Sequence, residues 1–273
     1  MLLIFGNGYT GSAIAAAARS AGLAVAVTSR APRNGLVPFQ EAADAIAQAT
    51  HIVVTAPPGD IDPVIATHTP ALRAAKNLRH ILYLSTTGVY GNRDGAWVDE
   101  HTMPSPQSPR AQRRLAAEQA WRALATGRSL DLFRLAGIYG PGRSVFNDLR
   151  SGTARRILSP GHAFGRIHVA DIAGATLAAL SHPPQGTRIL HGNDDEPAES
   201  ASVIAEAAEL LGMPPPPAVT LEAAFPRMSE MARSFWAENR KVSSRLTQAW
   251  IERRWTYPSY REGLAAISRA ERS

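Results

Sequence analysis

The run Phe5-Gly6-Asn7-Gly8-Tyr9-Thr10-Gly11 sets three glycines at the spacing G-x-G-x-x-G directly after the apolar residues Leu2, Leu3 and Ile4. The chemistry this spacing supports is anion binding by bare backbone. Gly6 allows a tight turn, Gly8 leaves the chain uncovered where a pyrophosphate must come close, and Gly11 lets a helix pack against the strand before it. A helix is predicted from about Tyr9 to Ser20, ended by Gly22, and its unpaired N–H groups and positive dipole end face the loop. Gly6, Asn7, Gly8, Tyr9, Thr10 and Gly11 therefore form the expected cradle of a dinucleotide. A second strand, Leu23 to Thr28, leads into Ser29-Arg30, where an NAD-specific site would place a carboxylate on the ribose 2′-hydroxyl. A hydroxyl followed by a guanidinium suits a 2′-phosphate instead, so NADP(H) is the expected cofactor and NAD(H) the alternative. Arg33 could share or take over this role, and the plain alternative is that Arg30 is a solvated loop residue.

The elements needed to position this loop follow in order. His51 to Thr55 reads as a continuous apolar strand ending in Ala56-Pro57-Pro58-Gly59, as in a parallel sheet buried on both faces. Its end, Thr55, Ala56 and Pro57, is expected along the cofactor. Leu36 to Phe39 reads as a short strand, and Glu41 to Ala49 as an amphipathic helix. A helix capped by Asp60 or Asp62 carries Val64, Ile65, Leu72 and Ala75, and Ile81 to Ser85 forms another buried strand that delivers Ser85 to the same sheet edge.

Composition narrows the class. With 273 residues the chain can bury a full core, as one large domain or one with a small companion. Hydrophobic residues make up 45%, yet no apolar run approaches the length of a spanning helix. No cysteine is present, which excludes thiolate catalysis and disulfides and fits a reducing compartment. The eight histidines have neither H-x-x-H nor H-x-x-x-H spacing, so no metal site is expected. The first strand starts at once, leaving no room for a signal peptide, and the expected location is the cytoplasm. A net charge of +6 comes almost wholly from arginine, because the only lysines are Lys76 and Lys241. These arginines alternate with acids and alanines, so neither nucleic acid nor membrane is expected as a partner, and an anionic cofactor or substrate accounts for part of the excess.

Ser85-Thr86-Thr87-Gly88-Val89-Tyr90-Gly91 combines a hydroxyl-rich strand end with Val-Tyr-Gly. Further on stand Phe133-Arg134-Leu135-Ala136-Gly137-Ile138-Tyr139-Gly140-Pro141-Gly142, Arg166-Ile167-His168-Val169-Ala170-Asp171, Leu190-His191-Gly192-Asn193-Asp194, Arg240-Lys241-Val242-Ser243-Ser244 and Tyr257-Pro258-Ser259-Tyr260-Arg261-Glu262-Gly263-Leu264. In these motifs and their order the chain resembles the extended short-chain dehydrogenases/reductases, the NAD(P)-dependent epimerase/dehydratase group, over nearly its whole length. The resemblance implies an α/β fold: a Rossmann-type doubly wound parallel sheet with a smaller C-terminal mixed α/β substrate domain. It further implies an oxidoreductase or epimerase acting on a small carbonyl or hydroxyl compound.

The family's proton chemistry uses a Ser/Thr, a Tyr and a Lys, the last two spaced Y-x-x-x-K at a helix start. Thr86 matches the first and is expected to hydrogen-bond a substrate oxygen. Past Ser108-Pro109, the Tyr position holds Arg110 and the Lys position Arg114. Arginine stays protonated, so Arg110 can offset negative charge but is a poor acid or base near neutral pH, while Arg114 could keep the lysine's role of holding the nicotinamide ribose. The plain alternative is a solvated helix face on which Arg110, Arg113 and Arg114 pair with Glu118. Tyr139 or a group of the substrate is the expected substitute proton carrier, with Tyr90 as a second candidate and His168 as a structural residue. Family members acting on nucleotide-sugars carry Arg-Asp-aromatic before Ile-His-Val; here Phe164-Gly165-Arg166 displaces the arginine and disfavours such a substrate, although Arg143, Arg166, Arg240 and Lys241 leave the expected pocket positive. Without the Tyr/Lys pair, the alternative function is a catalytically inactive NADP(H)-binding sensor or structural protein.

The expected organisation is a dinucleotide domain over residues 1–141 with a return segment at about 166–182, and a small domain over 142–165 and 183–273. The family resemblance implies a homodimer through the helices that follow Pro63 and Pro109, with Trp121 and Leu124 in that seam or in the core.

Overall fold

The computed structural model describes residues 1–31 and 34–272; Arg33, the second candidate for the 2′-phosphate, lies outside them. Seven strands build the central sheet: β1 (Leu2–Phe5), β2 (Val25–Ser29), β3 (Val37–Pro38), β4 (His51–Val54), β5 (His80–Thr86), β6 (Ser129–Leu135) and β7 (Thr187–Gly192). Their spatial order is β7-β6-β5-β4-β1-β2-β3, and every neighbouring pair is parallel. The chain reverses direction across the sheet between β1 and β4, the switch point at which open α/β sheets leave a ligand crevice.

Because successive side chains alternate between faces, the uninterrupted apolar run Leu2-Leu3-Ile4-Phe5 serves two cores at once. Leu2 and Ile4 join Val53, Leu82, Phe133 and Ile172 on one face, under α1 (Tyr9–Ser20) and the helix Val169–Ser181. Leu3 and Phe5 join Ile52, Tyr83 and Trp121 on the other, under α2 (Ala43–Gln48), α3 (Pro63–Ala74) and α4 (Pro109–Leu124). Trp121 is fully buried, with its ring 6.0 Å from that of Tyr83, which places it in the core and not at an assembly seam. Asp62 caps α3 by accepting from the backbone N–H of Val64 and Ile65, and Ser108 caps α4 through Ala111.

A third core gathers Phe146, Leu149, Val203, Ile204, Tyr260 and Leu264 in the smaller layer. Its helices Val145–Arg150 and Tyr260–Ala270 both start with capping boxes, Ser144 with Asn147 and Ser259 with Glu262. Two short parallel pairs join this layer to the sheet edge: Gly137–Tyr139 with Arg166–His168, and Trp97–Val98 with Lys241–Val242. The expected domain boundary at residue 183 needs correction, since β7 pairs with β6 along its whole length and completes the large sheet. Among the described residues, no helix is long and apolar enough to cross a membrane.

Candidate active site

The glycine turn sits where β1 ends between β2 and β4, with Phe5 paired to Thr28 on one side and Val54 on the other. Gly6 has φ +111°, a left-handed value that an L side chain rarely adopts, and an added Cβ would lie 2.5 Å from Thr55 Oγ1. At Gly11 the added carbon would run into the carbonyl oxygen of Gly6. Gly8 differs, because a Cβ there meets no protein atom within 4 Å. Packing thus explains Gly6 and Gly11, whereas Gly8 borders open space in front of α1. Gly8 also caps α1 without a side-chain bond, which leaves the first N–H groups of the helix directed at that space. The cradle fits a pyrophosphate on these grounds. Thr55 acts on the turn from behind: its hydroxyl donates to the carbonyls of Phe5 (3.0 Å) and Gly6 (3.4 Å). Ala56 is half-buried and Pro57 exposed at the same edge, while Arg30 is exposed just past Ser29 at the end of β2. Tyr9 donates its hydroxyl to Pro141 O (3.0 Å), with the Arg143 guanidinium 5.7 Å from its ring centre. Burial raises the Tyr9 phenol above its usual value, partly opposed by Arg143.

A cavity of about 480 Å³ opens next to the carboxyl ends of β5 and β6, within the size range of small-molecule sites. Ser85, Thr86 and Gly88 form its floor, Arg110 and Arg114 of α4 one wall, and Arg143, Phe164, Arg166, Phe235, Glu238 and Arg240 the other. Thr86 caps the turn Thr87–Tyr90, its oxygen accepting from Gly88 N at 3.1 Å. Its hydroxyl proton is then free for a ligand oxygen. Arg114 is half-buried and tied to β5, donating to Tyr83 Oη (2.9 Å) and Leu84 O (3.0 Å). Arg110 is exposed and makes no hydrogen bond or ion pair among the described residues. The lining holds five arginines against one carboxylate, Glu238, which is itself bonded to Arg240 at 2.7 Å. It therefore attracts anions and polarises a carbonyl, and among the described residues it contains no tyrosine, histidine or lysine.

Several sequence expectations are placed elsewhere. Tyr139 does not line the cavity; it is buried in the smaller core, its hydroxyl directed at Ser259 O (3.4 Å) and its ring packed edge-on to His168. Burial drives its phenol well above the normal range, and its placement outside the cavity lining corrects the expectation that it carries the proton there. Tyr90 is also buried, accepting from Arg134 (2.7 Å) and bonded to His191 Nε2 (2.6 Å), with its pKa pushed up to about 12 by burial. His168 caps the helix Val169–Ser181 through Ala170 N, a structural role. Ser85 lines the cavity, but its hydroxyl donates to Glu118 (2.5 Å). Glu118 in turn holds Arg134 bidentately at 3.0 and 2.7 Å, both residues nearly inaccessible. The expected solvated pairing of Glu118 with the α4 arginines is thereby corrected. A charged residue in the apolar strand Leu130 to Leu135 was the available signal, because a buried guanidinium demands a buried partner. Glu238 and Phe235 gave no such signal, being brought in only by the packing of the C-terminal segment.

No family model matches the chain. A functionally unknown conserved protein from Silicibacter pomeroyi DSS is 39% identical and superimposes with a TM-score of 0.92, covering 100% of this chain and 99% of that one. Protein YeeZ of Escherichia coli (strain K12) is 32% identical over 183 residues, and the chain spans 63% of the length of that curated relative. Human epimerase family protein SDR39U1, solved with NADPH, is similar at 18% identity with a TM-score of 0.79, over 98% of this chain and 99% of that one. The full-length match shows that the chain belongs to one family with the Silicibacter protein, and its sheet order and companion layer share the fold of the human epimerase family protein.

Proposed function

We propose that the protein is an NADP(H)-dependent oxidoreductase acting on a small anionic carbonyl or hydroxyl substrate through an active site without the usual Tyr/Lys pair. The observation that carries this reading is the arginine-lined cavity on Thr86, opened at the same sheet edge as the Gly6–Gly11 cradle. Gly6, Gly8 and Gly11 with the start of α1 would hold the pyrophosphate, Ser29 and Arg30 the 2′-phosphate, and Arg114 the nicotinamide ribose. When bound, the reduced nicotinamide supplies a hydride and is oxidised. Thr86 donates its free hydroxyl proton in a hydrogen bond to the substrate oxygen, orienting the carbonyl. As the carbon–oxygen π bond gives way to the new C–H bond, Arg110 offsets the charge developing on oxygen, and water entering the cavity supplies the proton. Arg110 and Arg114 stand where the family resemblance places Tyr and Lys. The alternative, a sensor that binds the cofactor without turnover, is favoured by the lack of a tyrosine in the cavity lining.

Titration of NADPH and NADH by fluorescence, repeated with Arg30→Asp, tests the cofactor assignment. NADPH should bind more tightly to the wild type, and the substitution should reverse the preference. Equal binding of the two cofactors by the wild type would remove the 2′-phosphate assignment. Turnover of small oxo compounds by the wild type, reduced roughly 100-fold in Thr86→Ala, would favour the enzyme over the sensor. The assembly is proposed as a homodimer through α3 and α4.

A further inference from the structure

Arg240 is brought to the cavity from far along the chain, by the pairing of Lys241–Val242 with Trp97–Val98. One end of its guanidinium is fixed. Nη1 donates to Gly91 O at 2.9 Å and to Glu238 Oε2 at 2.7 Å, and the side chains of this ion pair are 15% and 11% exposed. That leaves the Nε and Nη2 groups, the planar two-donor edge that matches a carboxylate, without a hydrogen bond among the described residues. Gly88 places one atom of this edge near Thr86: a Cβ built there would lie 3.3 Å from Thr86 Oγ1 and 3.9 Å from Arg240 Nη2. Both donors border one point, so they stand within about 7 Å of each other. Gly88 leaves the space between them clear of any side chain.

Resting on the reductase reading above, we propose that Arg240 is the substrate-carboxylate receptor of this cavity and that the substrate is an oxo acid or the corresponding hydroxy acid. Thr86 takes the carbonyl oxygen while Arg240 takes a carboxylate one or two carbons away, a spacing that fits two oxygens seated between donors within about 7 Å of each other. Glu238 acts as a positioning residue: its bond holds the guanidinium edge toward Thr86, and its charge is outweighed by those of Arg110, Arg114, Arg143 and Arg166 around the same space. Phe164 and Phe235 supply the apolar wall for the remainder of the molecule.

Oxamate, an unreactive analogue of a 2-oxo acid, is the probe, and oxamide its uncharged counterpart. Calorimetric titration of the full-length protein, with and without saturating NADPH, should show oxamate binding to the wild type and at least tenfold weaker binding of oxamide. Arg240→Gln should weaken oxamate about tenfold or more, the loss of a charged hydrogen-bonded contact, with NADPH affinity unchanged. Arg240→Lys, which keeps the charge without the planar edge, should fall between them, and Glu238→Gln should still bind oxamate. Equal oxamate binding by wild type and Arg240→Gln, oxamide binding as tightly as oxamate, or no oxamate binding by the wild type would each overturn the proposal. Should Arg240→Gln melt early, the Arg240→Lys variant and the oxamate–oxamide comparison decide. Absence of NADPH binding would overturn the cofactor reading alone, because the titration without NADPH reads the Arg240 site independently.

Discussion

The three glycines of one motif are not glycine for one reason: packing holds Gly6 and Gly11 while Gly8 borders open space, and Gly8 and Gly11 predict different variants. Gly8→Ala meets open space, so its melting temperature should match the wild type while NADPH binding weakens about tenfold or more, as the methyl occupies the room a pyrophosphate requires. Gly11→Ala meets the Gly6 carbonyl and should lose both stability and cofactor affinity. Thermal melts paired with fluorescence titrations separate the two, and normal NADPH binding by Gly8→Ala would show that no phosphate approaches there. Asp194 is a second residue whose surroundings make a prediction. It is buried with both carboxylate oxygens lacking a hydrogen-bond partner among the described residues, and burial raises its pKa to about 8 despite Arg166. Between the ordinary carboxylate pKa and about 8 the folded state holds a proton that the unfolded chain has released, so stability falls as pH rises through that window and levels off above it. Asp194→Asn should flatten this part of the pH–melting-temperature curve and melt higher than the wild type at pH 8.

At the scale of elements, the site depends on how α4 is anchored to the sheet. Ser85 and Arg134, from β5 and β6, converge on Glu118 from α4, and Arg134 continues to Tyr90 and thence to His191 on β7. Tyr90 Oη lies 2.6 Å from His191 Nε2 and 3.2 Å from Asp99 O, and His191 Nδ1 lies 2.7 Å from Ser243 O, while burial lowers the imidazole pKa. This network fixes the helix that carries Arg110 and Arg114 against the strand that carries Thr86. Removing one partner leaves a buried charge exposed to no solvent, so Glu118→Leu should cost about 3–5 kcal/mol in urea denaturation. The double variant Glu118→Leu/Arg134→Met should recover much of that loss, since the desolvation of both charges is relieved together. A double variant no more stable than Glu118→Leu would show that the pair is not coupled.

At the scale of the molecule, the cavity is a product of two layers. The large sheet supplies Thr86 and the cradle; the small layer supplies Phe164, Arg166, Phe235, Glu238 and Arg240. The proposed homodimer would use the outer faces of α3 and α4, where Ala66, Ala116 and Ala120 are exposed and small enough to let helices approach. Sedimentation should give twice the chain mass for the wild type and the chain mass for Ala116→Arg/Ala120→Arg, with cofactor binding retained. A wild-type monomer would end that proposal.

What the sequence by itself determined is what depends on local chemistry and period. The glycine turn, the buried parallel strands and a cap at Asp60 or Asp62 were legible because glycine conformation, continuous apolar runs and side-chain capping are properties of short stretches; the structure chose Asp62. Thr86 was singled out by the family resemblance, and the structure places it on the cavity. The sequence left open which polar side chains would be buried and which would face the ligand, because that depends on contacts between residues far apart in the chain. Glu118 reads as one more charge on a helix until Arg134, 16 residues later, turns it into the core. Tyr139 and Arg240 both stood among candidates for the site, and only tertiary packing separated them. The helix Tyr260–Ala270 covers Tyr139, whereas the strand pair at Lys241–Val242 swings Arg240 to within reach of Thr86. A side chain's chemistry is written in its type, but its solvent, partners and direction are set by the elements that close over it.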